Sequence, residues 1–140
     1  MKKIFHIIVG IIFLSAIVIS SFAADNPLNN RVDVYYFHGN FRCATCYKLE
    51  QYSKEAIEAN FKNELVSGKL LFRTINTDER ANEHFINDYQ LYTKSLIISL
   101  VKDGKEVKSK NLVKIWDYVG NKQKFYDYVA EEIRDFLREI

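Results

Sequence analysis

The chain holds 140 residues, nearly half of them hydrophobic, and its 20 Lys and Arg exceed its 18 Asp and Glu by two. Lys2 and Lys3 belong to an N-terminal segment of export type, so the remainder is close to neutral and lacks an electrostatic motive for binding nucleic acid. About 117 residues then remain, enough for one domain with one core and too few for a second catalytic domain.

Residues 1–23 read as a signal peptide. Lys2 and Lys3 form a basic start, Ile4 to Ile19 an apolar core, and Ser21-Phe22-Ala23 a small-x-small cleavage site. Cleavage would start the mature chain near Ala24 and place it outside the cytoplasm, in the periplasm or beyond. An uncleaved segment anchoring the protein to the membrane is the alternative, and the membrane is expected to matter in no other way. Residues 24–31, with Pro27 and three asparagines, form a flexible leader, and the folded domain spans 32–140.

Val32 to Phe37 is apolar at nearly every position, as in a central strand covered on both faces. His38 to Arg42 is a turn that lifts the chain over a helix start. From Cys43 a helix is expected to about Val66, with Cys46, Leu49, Ser53, Ile57, Phe61 and Leu65 along one face. Ser67-Gly68-Lys69 ends it, and Leu70 to Asn76 is a second strand. Asp78 is a candidate cap for a short helix from Glu79 to Tyr89 with Phe85, Ile86 and Tyr89 inward. Ser95 to Val101 and Glu106 to Lys108 flank an Asp103-Gly104 hairpin turn, and Lys122 to Ile140 is an amphipathic helix with Phe125, Val129, Ile133, Phe136 and Leu137 inward. That order packs as an α/β domain: a mixed sheet of about four strands, its first half a right-handed parallel crossover, with helices on both faces.

The only two cysteines, Cys43 and Cys46, sit together where the first strand gives way to the helix. A sulfur at a helix start lies near unpaired backbone N–H groups and the positive end of the helix dipole, which favours the thiolate. Cys43, at the frayed end, is the expected attacking sulfur, and Cys46, heading the buried stripe, the resolving one. A permanent structural disulfide is the plain alternative, weakened because closing so short a loop removes little chain entropy from the unfolded state. Zinc has no recognisable ligand spacing here. Cu(I) carriage by Cys43, Cys46 and His38 is a third reading, resting on the affinity of soft thiolates for Cu(I).

The strand followed by Cys43-Ala44-Thr45-Cys46, the Ile75-Asn76-Thr77-Asp78 strand end and the Lys102-Asp103-Gly104 hairpin resemble a thioredoxin-like protein over nearly all of residues 32–140. More narrowly, Tyr36 to Cys46 is similar to a small exported family described as a nitrophenyl-compound nitroreductase subunit. The resemblance implies a thiol–disulfide oxidoreductase or electron relay, working on a protein redox partner or a thiol or disulfide substrate. With no nicotinamide or flavin fingerprint, no cofactor is expected in this chain, and a role beside a nitroreductase would be that of an accessory subunit. A partner-binding module with a fixed disulfide is the non-enzymatic alternative.

Thioredoxins carry a cis-proline before the third strand that helps hold substrate peptide. Here that position falls at Ser95 or Leu96, where a trans bond is expected, and the docking of extended substrates is left open. The buried acid that thioredoxins place under the cysteines is also missing, Tyr36 and Phe37 standing in that strand. Four further residues are candidates for support. Arg42 is expected either to add positive potential or to be solvated, and His38 either to shuttle protons or to bond to backbone. Phe41 is either a hydrophobic lip or packing over the helix start, and Ser95 takes the place of the proline. His84 is expected at the surface and Trp116 in the core.

Overall fold

The computed structural model describes residues 29–140, so the expected signal and most of the leader lie outside the described residues. Strand β1 (Arg31–His38) is central in a four-stranded sheet of order β2-β1-β3-β4. It runs parallel to β2 (Leu70–Asn76) and antiparallel to β3 (Ser95–Lys102), which pairs antiparallel with β4 (Lys105–Asn111). β2 and β3 fall where their apolar runs place them and β1 starts one residue earlier than expected, whereas β4 extends beyond the expected Glu106 to Lys108 through an exposed, Lys-rich stretch to Asn111. Asp103 and Gly104 both take positive φ, 51° and 74°, the geometry that lets a two-residue turn match strand twist.

Alternation along β1 sorts its side chains. Val32, Val34 and Tyr36 join Leu96, Ile98 and Leu100 of β3 in the main core, beneath helix α1 (Ala44–Asn60) and, after the short helix α4 (Ile115–Tyr118), helix α5 (Lys122–Leu137), which stops short of the expected Ile140. Leu49 and Ile57 of α1 and Phe125, Val129, Ile133 and Phe136 of α5 fill that layer, the expected stripes, although Leu137 is only partly buried. Each fully buried aliphatic side chain there contributes about 1.5–3 kcal/mol relative to exposure.

The opposite face carries Asp33, Tyr35 and Phe37. Helix α3 (His84–Asp88) and the following Tyr89 cover it, with Phe85 5.2 Å and Tyr89 5.5 Å from the Phe37 ring. Tyr89 donates a 2.5 Å bond to Glu106, which also accepts from the buried Ser99, so the short helix is pinned to the hairpin. Helices thus flank both faces of the mixed sheet. Asp33 is buried too, held by Arg31 at 2.9 and 3.0 Å and by the Tyr35 hydroxyl at 3.1 Å. It lies at the far end of β1, about 16 Å along the strand from its His38 end, and so does not serve as an acid beneath the cysteines.

Three expectations about the helices need correcting. The helix expected from Cys43 to Val66 is two: α1 stops at Asn60, Phe61 leaves the helical region at φ −132°, ψ 36°, and α2 (Lys62–Ser67) resumes beyond it. Backbone bonds from Phe61 to Ile57 and from Leu65 to Phe61, both 2.9 Å, survive the break, so the apolar spacing runs straight through it. Leu65 ends only half-buried, and Gly68 closes α2 at φ 76°. The segment after Asp78 is also divided, into a 3-10 turn at Arg80–Asn82 and α3, and Asp78 caps neither. Ile86, expected inward, is exposed, because Phe85 and Tyr89 already occupy the sheet side. Among the described residues no helix is long and apolar enough to cross a membrane.

Candidate redox site

Cys43 is the residue that caps α1. Its backbone is extended, φ −88° and ψ 167°, and its Sγ accepts a 3.2 Å bond from the Cys46 N–H, one of the donors a helix start leaves unpaired. Cys43 is exposed, Cys46 is 2% exposed, and the two are paired as a disulfide with Cα atoms 5.1 Å apart. One sulfur faces water at the positive end of a 17-residue helix while the other lies under it. That is the arrangement the motif and the apolar stripe predict.

The loop entering the site is clamped by the end of β2. The Thr77 N–H and hydroxyl both donate to the His38 carbonyl, at 2.7 and 3.1 Å, and Asn76 Nδ2 donates to Asn40 Oδ1 at 2.7 Å. Instead of capping a helix, the Asp78 carboxylate accepts from the Asn40 N–H at 2.6 Å. A Cβ at residue 39 would come 2.8 Å from that carboxylate, so the close approach calls for Gly39. This clamp is not visible in the sequence, since it joins polar residues almost 40 positions apart.

Beneath the motif, the Tyr36 hydroxyl donates to the Cys46 carbonyl at 2.7 Å. Burial pushes the Tyr36 phenol up to about 12, so it remains a donor through the ordinary pH range. Arg42 is far from solvated: its side chain is 14% exposed, its guanidinium is paired with Glu50 and lies 4.2 Å from the centre of the Tyr47 ring. The Thr74 hydroxyl donates to the other Glu50 oxygen at 3.1 Å. Glu50 is a partly exposed position of α1 that no motif in the sequence singles out. A partner eight residues away across a helix start carries no periodic signal.

His38 is half-buried and its Nδ1 donates to the Gly39 carbonyl at 2.9 Å, the backbone-bonded arrangement. Among the described residues no group of three or more His, Cys, Asp or Glu is placed to hold a metal ion, so His38 does not complete a ligand set with the cysteines. Phe41 is 81% exposed and does not pack over the helix start. It stands at the edge of a cleft of about 230 Å³ whose walls include Phe37, His38, Asp78, Tyr92 and Lys94.

Thr93 and Lys94 also line the cleft, and Ser95, which follows them, is buried with its hydroxyl donating to the Thr93 carbonyl at 2.9 Å. The Lys94–Ser95 bond is trans, as are all peptide bonds among the described residues. The Trp116 indole is partly buried against the core and donates to the Lys94 carbonyl at 3.1 Å, so the carbonyls of both Thr93 and Lys94 have side-chain partners within the protein. His84 is exposed and pairs with Asp88 at 2.7 Å, outside the site.

Among solved structures the chain is similar to the human ERp44 zinc-bound form, with a TM-score of 0.52 at 15% identity over 79% of this chain and 28% of that one. Another human ERp44 structure gives 0.50 at 18% identity over 79% and 29%. Fasciola hepatica thioredoxin gives 0.44 at 20% identity over 76% of this chain and 85% of that one. The chain spans under a third of the length of the ERp44 structures it matches. No protein-family model and no curated protein matches the chain. The likeness is one of fold, and the fold is thioredoxin-like.

Proposed function

We propose that this protein is an exported thiol–disulfide oxidoreductase or electron relay that cycles Cys43 and Cys46 between dithiol and disulfide. The observation that carries the reading is the unequal exposure of the two sulfurs at one helix start, Cys43 open to solvent and Cys46 buried. In the reducing direction the Cys43 thiolate attacks a substrate disulfide, forms a mixed disulfide and expels one thiolate, which takes a proton from solvent. Cys46 then loses its proton and its sulfur attacks Cys43, which re-forms the intramolecular disulfide and releases the second substrate thiolate. Two electrons pass from protein to substrate, and an external dithiol restores them; the oxidising direction is the reverse.

Its partner is a protein dithiol or disulfide or a small thiol, and the cleft edged by Phe41, Thr93 and Lys94 is where that partner would lie. Export rests on the basic, apolar and small-residue pattern of residues 1–23. Service beside a nitroreductase rests on the similarity of Tyr36 to Cys46 to the nitrophenyl-compound family, and the hydride chemistry would then belong to another polypeptide.

The test is reduction of insulin disulfides by the protein with dithiothreitol as electron source, comparing wild type with Cys43→Ser and Cys46→Ser. Both variants should lose turnover, and only Cys46→Ser should accumulate a mixed disulfide. The pair should equilibrate with glutathione at a potential above roughly −300 mV, whereas a structural disulfide would lie below that value and leave a binding module as the function.

A further inference from the structure

We propose that Arg42 is a positioning residue that stabilises the Cys43 thiolate, and that Glu50 sets how much of its charge reaches the sulfur. The inference rests on the dithiol–disulfide reading above and deepens it. Arg42 is one peptide bond from Cys43, yet its side chain lies along the first two turns of α1 instead of in solvent. There it meets the Tyr47 ring, the Glu50 carboxylate and the region of the Tyr36 hydroxyl. Thr74 of β2 and the helix itself hold Glu50 in place, so the cation is fixed rather than swept through water.

One donor is left over. Arg42 Nε is buried and has no hydrogen-bond partner among the described residues. An unpaired buried N–H on a charged group costs free energy comparable to a lost hydrogen bond, and more because the group is charged. In the disulfide state neither sulfur carries charge, so nothing nearby rewards that donor. Opening the disulfide creates an anion at Cys43, one residue along the chain from a guanidinium that is held by a single carboxylate and has one buried donor to spare. The geometry favours the reduced state, and it does so through two side chains whose effects have opposite sign.

The other charged or titratable groups around the cysteines are few. His38 at the end of β1 spends its Nδ1 on a carbonyl, and Asp78 spends one oxygen on the Asn40 N–H. Lys94, before β3, lies 6.0 Å from the centre of the Phe41 ring, and Lys48 lies 5.5 Å from that of Tyr52, one turn further along α1. Tyr36 stays neutral. Arg42 and Glu50 are therefore the pair to vary.

The experiment follows the ultraviolet absorbance of the Cys43 thiolate against pH in reduced wild type, Arg42→Met, Arg42→Lys and Glu50→Gln. Each protein's equilibrium with glutathione is measured at neutral pH. Arg42→Met should raise the Cys43 pKa by about one pH unit, as loss of a nearby opposite charge does. It should also shift the dithiol–disulfide equilibrium about tenfold toward the disulfide, close to 30 mV for two electrons. Glu50→Gln should move both readings the other way, and Arg42→Lys should recover most of the wild-type values. If Arg42→Met and Glu50→Gln shift the thiolate in the same direction, or neither shifts it, the pair is a structural brace and the proposal is wrong. Should Arg42→Met fail to fold, the contrast between Glu50→Gln and Arg42→Lys still decides it. A wild-type protein whose disulfide resists glutathione altogether would instead overturn the oxidoreductase reading.

Discussion

Tyr36→Phe isolates the one hydrogen bond that ties the central strand to the cysteine motif. The Tyr36 ring is fully buried in the core between β1, α1 and α5, and phenylalanine keeps that ring and its packing. What disappears is the 2.7 Å bond from the hydroxyl to the Cys46 carbonyl. That carbonyl lies inside α1 and keeps its own helical partner, so it is not orphaned by the change. The loss is therefore that of a single buried neutral bond, about 1–1.5 kcal/mol. Urea unfolding of the oxidised protein should show the midpoint fall with an unchanged slope, since no extra surface is exposed. In thermal unfolding Tm should drop by about 5 °C, given the usual several degrees per kcal/mol for a domain of this size. A change under about 0.3 kcal/mol would mean that the hydroxyl does nothing for the fold. A loss above about 3 kcal/mol would mean that the first turn of α1 depends on it; either result would refute the reasoning.

Gly39→Ala should destabilise the protein by about 1–2 kcal/mol, because its new Cβ would meet the Asp78 carboxylate 2.8 Å away. Much of that cost should vanish in an Asp78→Ala background, and a double-mutant cycle on unfolding free energies that finds no coupling would rule the clash out. The Glu55 carboxyl, bonded to Lys122 and Tyr126, is held down to about 2 from its ordinary value of 4.5. Because the folded value is the lower one, the contribution of this surface pair is complete above pH 5 and is lost as pH falls toward 2. A carbon-detected NMR titration should place the Glu55 midpoint well below the ordinary value of 4.5, and Lys122→Met should move it back up; a Glu55 midpoint near 4.5 in the intact protein would contradict the geometry.

Much of this architecture was legible in the residue order. The strand at Leu70–Asn76, the Asp103-Gly104 turn and the buried faces of α1 and α5 all follow from local apolar spacing and turn chemistry, which act within a few residues. The unequal exposure of Cys43 and Cys46 was legible for the same reason, as one residue caps the helix and the other begins its apolar stripe. The break at Phe61 was not, because the apolar spacing continues from Ile57 through Phe61 to Leu65 across a single non-helical residue.

Periodicity and composition by themselves determined that a strand hands one exposed and one buried sulfur to a helix start, since both features are set by neighbours along the chain. Only tertiary structure decided what surrounds those sulfurs. Polar side chains have no spacing rule that names their partners: Asn40 finds Asp78 because parallel pairing of β1 with β2 brings the strand ends together, while Tyr36 finds the Cys46 carbonyl and Arg42 finds Glu50 because α1 folds back over β1. Burial then makes these contacts matter, since a hydrogen bond or charge withdrawn from water is no longer exchanged for an equal one with solvent.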